Sequence, residues 1–542
     1  MKRTILLSAL MLTMTATTMR AQIYLDPQAP MEERIKDALS RMTIHEKIQV
    51  IHAQSKFTSA GVPRLGIRQL NMDDGSHGVR EELGWNSWSN AGWTNDSVVA
   101  FPSLTCLAST WNRDLSARYG HALSEEFAFR GKDVLLGPGV NIARTPMNGR
   151  AFEYMGEDPC LAGEMVVPYI LSAQKNGVAC CLKHYVLNDQ EVNRFGTDVM
   201  VGENTTRSLT QGGGSSELKT LRDISPLKAL RSQCSMDYAQ GYTSGRALYD
   251  QVDTVDQAES ERLKAEALEK ARQADLIIYI GGLNKNTKQD CENSDRESYD
   301  LSFGQNELIS QLAQIQPNIV VVTFGGNAYA TPWLQQVKAL VHCWYLGSES
   351  GTSLANMLTV KVNPSGKLPV TFAKRYDDYP YVHYGKEAYQ DRSGQVDYKE
   401  GIYVGYRGFE RNKKQPQFPF GYGLSYTTFQ YGQPTAQVSG DHMNVEVTIQ
   451  NTGSVAGKEV AQVYVSAPKN KQMDKPVKEL KGFAKTRLLQ PGESETLRIS
   501  IPCSELASWN EATHEWQVDN GTYTLQVGAS SAEIRGKAKI SL

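Results

Sequence analysis

The sequence predicts an α/β multidomain protein: an incomplete (β/α)8-type barrel, then a doubly wound α/β sandwich, then a β-sandwich. Three observations predict it. The first part carries short apolar runs that end in polar or glycine-rich turns, with amphipathic helical stretches between them. In the middle, strong helix formers lead straight into runs of branched apolar residues. The last part alternates apolar and polar residues strictly between short turns.

Composition sets the bounds. The chain has 542 residues, 40% of them hydrophobic and 21% charged, which is the make-up of an ordinary globular protein long enough for several domains. A net charge of −2 gives no electrostatic case for nucleic acid or an anionic membrane surface. Eight cysteines, including the adjacent Cys180 and Cys181, are too sparse for a disulfide framework, and no CxxC pair suggests zinc. Most are expected to be buried thiols. The first 21 residues, "MKRTILLSALMLTMTATTMRA", run from two cations through an apolar stretch to small residues. That is the pattern of a secretory signal peptide, so export to the periplasm or medium is expected. The first cysteine after it is Cys106, so a lipid anchor is not expected, and no other stretch is apolar enough to span a bilayer.

Residues 22–199 hold the barrel-type signals. "MEERIKDALSRMTIHEKIQVIHAQ" starts after Pro30, places Ile35, Leu39 and Met42 on one helical face, and continues with a second helix carrying Ile48 and Ile51. Thr43 and Glu46 have the spacing of a capping box at the start of that second helix. The runs "IRQLNMDDGSHGVR", "DVLLGPGVNIARTPMNGR" and "GVACCLKHYVLNDQE" each read as a buried strand followed by a polar loop. "NRDLSARYGHALSEEFAFRG" is a helix between the first two. Three strands do not close a barrel, which takes eight and typically about 250 residues.

Residues 200–375 read as the α/β sandwich. "ERLKAEALEKARQA" leads into "DLIIYIGG", "ELISQLAQI" leads into "NIVVVTFGG", and "ALVHCWYLG" is followed by "SGTSLANML". "NPSGKLPVTF" reads as a turn and an exit strand. Residues 376–430, rich in Tyr, Gly and Pro, form a connecting segment. Residues 431–542 form the β-sandwich, with Met443, Val445, Val447 and Ile449 on one strand face and the same period in "AQVYV", "TLRISI" and "YTLQV".

Several clusters could carry chemistry. "DDGSHGVR" brings Asp73, Asp74, His77 and Arg80 after a strand, although alone it also reads as a satisfied loop. "NGRAFEYMGEDP" holds Arg150, Glu153, Glu157 and Asp158, which equally suit a surface ion-pair network. Lys183 and His184 follow an apolar strand, where charge is costly unless paired or used. Three such clusters at the ends of barrel-type strands point to one shared polar pocket. "QGGGSS" lacks the Gly-Lys-Ser/Thr ending of a phosphate loop, so it reads as a loop shaped by close backbone approach. "KQDCENSDRESYD" offers Asp290, Glu292, Asp295 and Glu297, either as an exposed acidic loop or as a source of a carboxylic acid for the first domain.

These motifs, together with "GGGSSELK", "EGIYVGYRGFE" and "FPFGYGLSYTTF", resemble glycoside hydrolase family 3 in its three-domain β-glucosidase form, in family order over nearly the whole mature chain. The resemblance implies that the last domain is fibronectin type III-like. It implies that Asp74, Arg150, Lys183 and His184 bind the terminal non-reducing sugar, and that Glu292 is the general acid/base. The substrate would be an oligosaccharide or β-glucoside, hydrolysed with retention by two carboxyl groups about 5–5.5 Å apart. No metal or organic cofactor is implied, and the oligomeric state is open.

The chain departs from the family at one place. The family's nucleophile is an aspartate in an "SDW"-type motif on a later barrel strand, and the sequence has none. "SMDY" and "SDRE" contain aspartates, Asp237 and Asp295, but both lie in the second domain. The expectation is an internal deletion near residue 199 that removes about five βα units with the nucleophile. Activity should then be impaired, and the first domain should expose an edge and an apolar face while the other two fold independently. A non-catalytic carbohydrate-binding remnant, a β-xylosidase-type specificity in the intact parent and an error in gene assembly stay open at this point.

Overall fold

The computed structural model describes residues 22–184, 188–191, 211, 213–244, 255–385, 398–470, 473–510 and 512–542. The expected signal peptide and the expected junction near residue 199 lie outside them.

Residues 22–71 form a small unit of their own. It holds helices α1 (Met31–Arg41) and α2 (Ile44–Val50), and a short strand β1 (Thr58–Ser59). The capping box is present: Thr43 accepts from the Glu46 main chain, and the Glu46 carboxylate accepts from the Thr43 main chain. The expected apolar face is rotated. Ala38, Met42 and Val50 pack on Tyr24, Val62 and Leu65, whereas Ile35, Leu39, Ile48 and Ile51 are exposed.

Strand β2 (Leu70–Asp74) begins the barrel-type sheet. Helix α3 (Leu104–Ser109) and helix α4 (Arg113–Phe129) lead to β3 (Val134–Leu136), and α5 (Pro159–Lys175) leads to β4 (Ala179–Cys180). Met72–Asp74 pair in parallel with Val134–Leu136, and Val134–Leu135 with Ala179–Cys180. Three parallel strands are therefore present where the sequence signals three, and they do not close into a barrel among the described residues. Among the described residues β4 is the last strand of this sheet; Leu182 just after it is exposed, as are Val167 and Leu171 on α5. Helix α5 runs through Pro168, which interrupts the helical pattern in the sequence.

The α/β sandwich opens with α6 (Pro226–Arg231) and α7 (Gln257–Ala271). Strand β5 (Ile277–Gly282), helix α8 (Gln305–Ile315), strands β6 (Ile319–Phe324) and β7 (Ala339–His342), and helix α9 (Ser350–Leu358) follow. The sheet is parallel in the order β5-β6-β7. Its residues alternate between two cores: Tyr279, Ile319 and Val321 pack with α8, while Ile280, Val322 and Phe324 pack with Leu354 of α9. Helices thus cover both faces, as continuous apolar strands require.

The expected exit strand in "NPSGKLPVTF" is absent. Leu368 donates to Tyr422, and Gly421 donates back to Leu368. Phe372 exchanges main-chain bonds with Phe418. Pro369 lies between these pairs and has no N–H to give, so only an isolated bridge at Phe372–Phe418 survives. Helix α10 (Tyr406–Arg411) lies in the connecting segment.

The last domain packs two antiparallel sheets. One joins β8 (Phe429–Tyr431), β9 (Thr435–Ser439), β10 (His442–Asn451) and β13 (Ser494–Pro502), with β10 at its centre. The other runs β12 (Glu479–Lys485), β11 (Val460–Ser466), β16 (Thr522–Gly528) and β17 (Ile534–Ser541). A small hairpin, β14 (Ser508–Asn510) with β15 (Glu515–Gln517), lies apart. Met443, Val445, Val447 and Ile449 all face the sandwich core, as the alternation requires.

Strand β11 departs from the expected one-faced pattern. Ala461, Val463 and Val465 face the sandwich core. Val460 and Tyr464 face a second core that they share with Trp111, Leu123 and Leu161 of the first domain. The β-sandwich is therefore not the self-contained unit that its turns suggest. All eight cysteines are free thiols, but only Cys291 and Cys343 are buried, fewer than expected.

Candidate active site

Asp74 is the last residue of β2, and Lys183 and His184 come just after β4; with β3 pairing in parallel to both strands, the residues emerge at the same end of the sheet. The Lys183 ammonium lies 3.2 Å from Asp74 Oδ1 and 3.9 Å from Glu153 Oε2. Arg80 stands 3.6 Å from the other Asp74 oxygen. Arg150 makes a bidentate pair with Glu153, both contacts at 2.9 Å, and its remaining nitrogen reaches Glu292 Oε1 at 3.3 Å. The result is one continuous chain of alternating charge: Asp74, Lys183, Glu153, Arg150, Glu292. Every member is buried or nearly so, which strengthens each contact beyond its worth in water.

Glu153 is its hub. Burial alone would raise the pKa of this carboxyl, but the Arg150 and Lys183 charges outweigh that and hold it far below the usual range. Ser216 donates a further hydrogen bond to it at 3.1 Å. In the sequence Glu153 reads as a member of a cluster that suits either a surface ion-pair network or the shared polar pocket, and the structure places it in the pocket.

His184 stands on the far side of Lys183. Its main chain donates to Asn141 Oδ1 at 2.7 Å, and its Nδ1 lies 3.1 Å from the Tyr154 hydroxyl. Burial first, and then the Arg150 and Lys183 charges, lower its pKa to about 2, so it is a neutral imidazole. Asn188 donates to Tyr154 at 2.8 Å and completes this polar corner. Lys183 and His184 also line a cavity of about 240 Å³ with Asn141, Arg144, Asp189 and Tyr398. In its wall, Arg144 pairs with Glu400 and stacks 4.0 Å over the Tyr398 ring, which fixes the connecting segment to the first domain.

Glu292 comes from the α/β sandwich and is placed by two loops. Ser215 donates its main-chain N–H to Glu292 Oε2 at 2.5 Å. Gly214, at φ +108°, lies so close that a Cβ there would sit 2.3 Å from Glu292 Cβ. That is the close backbone approach expected of the glycine-rich run, and only glycine meets it. Asp295 straps the same loop to the first domain by accepting from the main chains of Gly149, at 3.1 Å, and Glu191, at 2.9 and 2.8 Å.

The remaining candidates have other work. Asp73 pairs with Lys132 at 2.9 Å, and burial raises its pKa to about 7 despite that cation. His77 is fully buried against Phe152, and burial lowers its pKa to about 4. Glu157 accepts from Thr371 and Tyr406, and Asp158 caps α5 and pairs with Arg407, so both tie the connecting segment down. Asp290 is wholly buried and holds Gly326, Asn327 and Tyr345. Glu297 is a surface partner of Lys288, and Asp237 is exposed.

A parallel βα domain and an α/β sandwich that jointly enclose carboxylates, cations and a neutral histidine, with a β-sandwich behind them, have the build of a multidomain glycosidase. Family profiles agree: the glycosyl hydrolase family 3 N-terminal domain matches residues 74–211, its C-terminal domain residues 197–426, and a fibronectin type III-like domain residues 459–531. A β-glucosidase of Bacteroides ovatus is 37% identical, covering 95% of this chain and 94% of its own. A thermostable β-glucosidase B of Acetivibrio thermocellus is 29% identical over 92% and 87%. The structure of β-glucosidase 3B from Thermotoga neapolitana in complex with glucose superposes with a TM-score of 0.80 at 26% identity, covering 94% of this chain and 98% of that one. The chain belongs to glycoside hydrolase family 3.

Proposed function

We propose that this chain recognises the non-reducing terminal residue of a β-D-glucoside and hydrolyses it weakly or not at all. The observation that carries the reading is the single buried network from Asp74 to Glu292, which joins a set of hydroxyl-binding groups to a candidate acid. Asp74, Arg150, Lys183 and His184 are assigned to sugar binding. A sugar's hydroxyls need fixed donors and acceptors, and a site built for them discriminates strongly against analogues lacking them. Glu292 is assigned as general acid/base, a role typically worth about 10²- to 10⁴-fold in rate.

Impairment follows from the missing nucleophile, because without it the covalent route of a retaining glycosidase is closed. The alignment with the Bacteroides ovatus β-glucosidase supports a deletion. It runs over 710 positions against 542 residues here, so at least 168 of them (710 less 542) face no residue of this chain. Sequencing source DNA across the codons for residues 190–210 tests the deletion directly. For the protein, the expected result is binding of glucose without turnover of an aryl β-glucoside. Turnover that Glu292→Gln abolishes would overturn the impaired reading.

Export belongs to the same proposal. It is supported by the cationic, apolar and small-residue pattern of residues 1–21. Detection of protein beginning near Gln22 outside the cytoplasm would bear it out, and a retained Met1 would refute it.

A further inference from the structure

Three tryptophans crowd the hairpin that follows the Asp74 strand, and all three face solvent. Trp85, Trp88 and Trp93 are 54%, 64% and 53% exposed, whereas Trp111, Trp333 and Trp344 are buried. Two further exposed tryptophans, Trp509 and Trp516, lie elsewhere, opposite each other across the β14–β15 hairpin at 5.6 Å.

The hairpin is held firmly at its base. Leu83 bridges Asn90, Gly84 accepts from Ser87 and donates to Ser89, and Ala91 donates to Glu82. Below the tip, Glu82 pairs with Lys132 at 2.6 Å and its main chain donates to the fully buried Asp96 at 3.1 Å. Lys219 ties both arms together, reaching Asp96 at 2.7 Å, the Trp93 carbonyl at 2.6 Å and Glu81 at 3.3 Å.

These anchors place the tip. Arg80, at its start, donates its main chain to Asp74 at 3.1 Å. Lys219 follows the very run, Gly214 to Ser216, that grips Glu292 and Glu153. The hairpin is thus bound at both ends to segments that build the terminal-sugar network. Trp85 is five residues beyond Arg80, within about 18 Å along even a fully extended chain.

The chemistry of the tip narrows the ligand. From Leu83 to Asn95 there is no charged side chain, only indoles interleaved with Asn86, Ser87, Ser89, Asn90, Thr94 and Asn95. Indole faces suit the apolar C–H face of a pyranose ring, and amides and hydroxyls suit its rim of hydroxyl groups. A tip without charge offers nothing to a phosphate backbone or an anionic membrane.

We propose that Trp85, Trp88 and Trp93 form a stacking platform for the further sugar units of a β-glucan chain whose end reaches the Asp74 network. The substrate class is then an oligosaccharide or polysaccharide rather than a small aryl glucoside. The proposal rests on the carbohydrate reading of that network.

The test is affinity electrophoresis of the full-length chain in native gels containing soluble β-glucan, with glucose binding followed separately by calorimetry. Wild type should be retarded. Each Trp→Ala change should weaken retention by about two- to tenfold, and the triple variant should lose it. Glucose affinity and thermal unfolding should not change in these variants. An Asp74→Ala variant should lose glucose binding yet keep most of the retention. Wild type that binds glucose but is not retarded would overturn the platform and leave the terminal site standing. Retardation without any glucose binding would support the platform and overturn the terminal site. A triple variant that is retarded like wild type would overturn the proposal. So would one whose only change is from dimer to monomer in sedimentation, since the indoles would then face a second copy of the chain.

Discussion

Glu153 is fully buried between two cations, and that position explains more of the site than any motif does. Glu153→Gln keeps the shape and removes the charge, leaving Arg150 and Lys183 short of a buried counter-ion. A loss of about 3 kcal/mol is expected, read as a lower urea midpoint with an unchanged slope. His77 gives a pH signature of a different kind. Burial lowers its pKa from 6.5 to about 4, with Lys183 adding and Glu153 opposing. The folded state therefore favours the neutral ring. The stability this contributes is whole above pH 6.5 and is lost as the pH falls towards 4, about 3 kcal/mol in all. Thermal unfolding of His77→Gln should be correspondingly flatter across that window than wild type. Glu157 has the opposite sign, since burial raises its pKa to about 7, and its share of stability fades as the pH rises from 4.5 to 7.

At the scale of elements, the strands and most helices were legible because their period is a property of the residues themselves. Met443 to Ile449 could face only one way, and Thr43 with Glu46 could cap only one helix. What stayed hidden depended on partners distant in sequence. Pro369 cancels a strand only because residues 417–422 lie alongside. Helix α5 survives Pro168 because most of its apolar side chains are buried among neighbours. In the site, Asp74, Arg150, Lys183 and Glu292 could be picked out from the sequence, and the structure brings them together. Glu153 and Asp295 are legible only as members of acidic clusters, and their roles as hub and strap depend on partners distant in sequence. The loop at Gly214 offers the sharpest test at this scale. Gly214→Ala would force a Cβ into Glu292 at a positive φ, and a loss of about 1–3 kcal/mol is expected. Ser215→Ala, which keeps the same main-chain donor, should stay within about 0.5 kcal/mol of wild type.

Across the whole molecule, the first domain does not stand alone. Trp111 lies at a seam between domains: its ring is 5.4 Å from Phe420 and 5.0 Å from Phe483, and its indole N–H donates to Lys367 at 3.1 Å. Arg113 adds a cation 4.2 Å above the Phe483 ring. Trp111→Ala should therefore cost about 3–5 kcal/mol, and limited proteolysis should then release the last domain before the others are cut. Elsewhere in the first domain, Val167, Leu171 and Leu182 are exposed. Apolar groups of this kind promote association, so loss of solubility should precede loss of fold as concentration rises.

The two-faced strand β11 has a consequence for shuffling by recombination. A module that buries residues on one side only can be cut at its linkers and moved to another gene without carrying anything along. This one cannot, because Val460 and Tyr464 belong to a core whose other half is encoded at least 299 residues upstream, at Trp111, Leu123 and Leu161. A transplanted copy would arrive with an aromatic face bare and leave a matching hole behind. Exchange at that boundary would be tolerated only between parents that share both halves of the seam, which binds the ends of the gene to a common descent whatever happens between them.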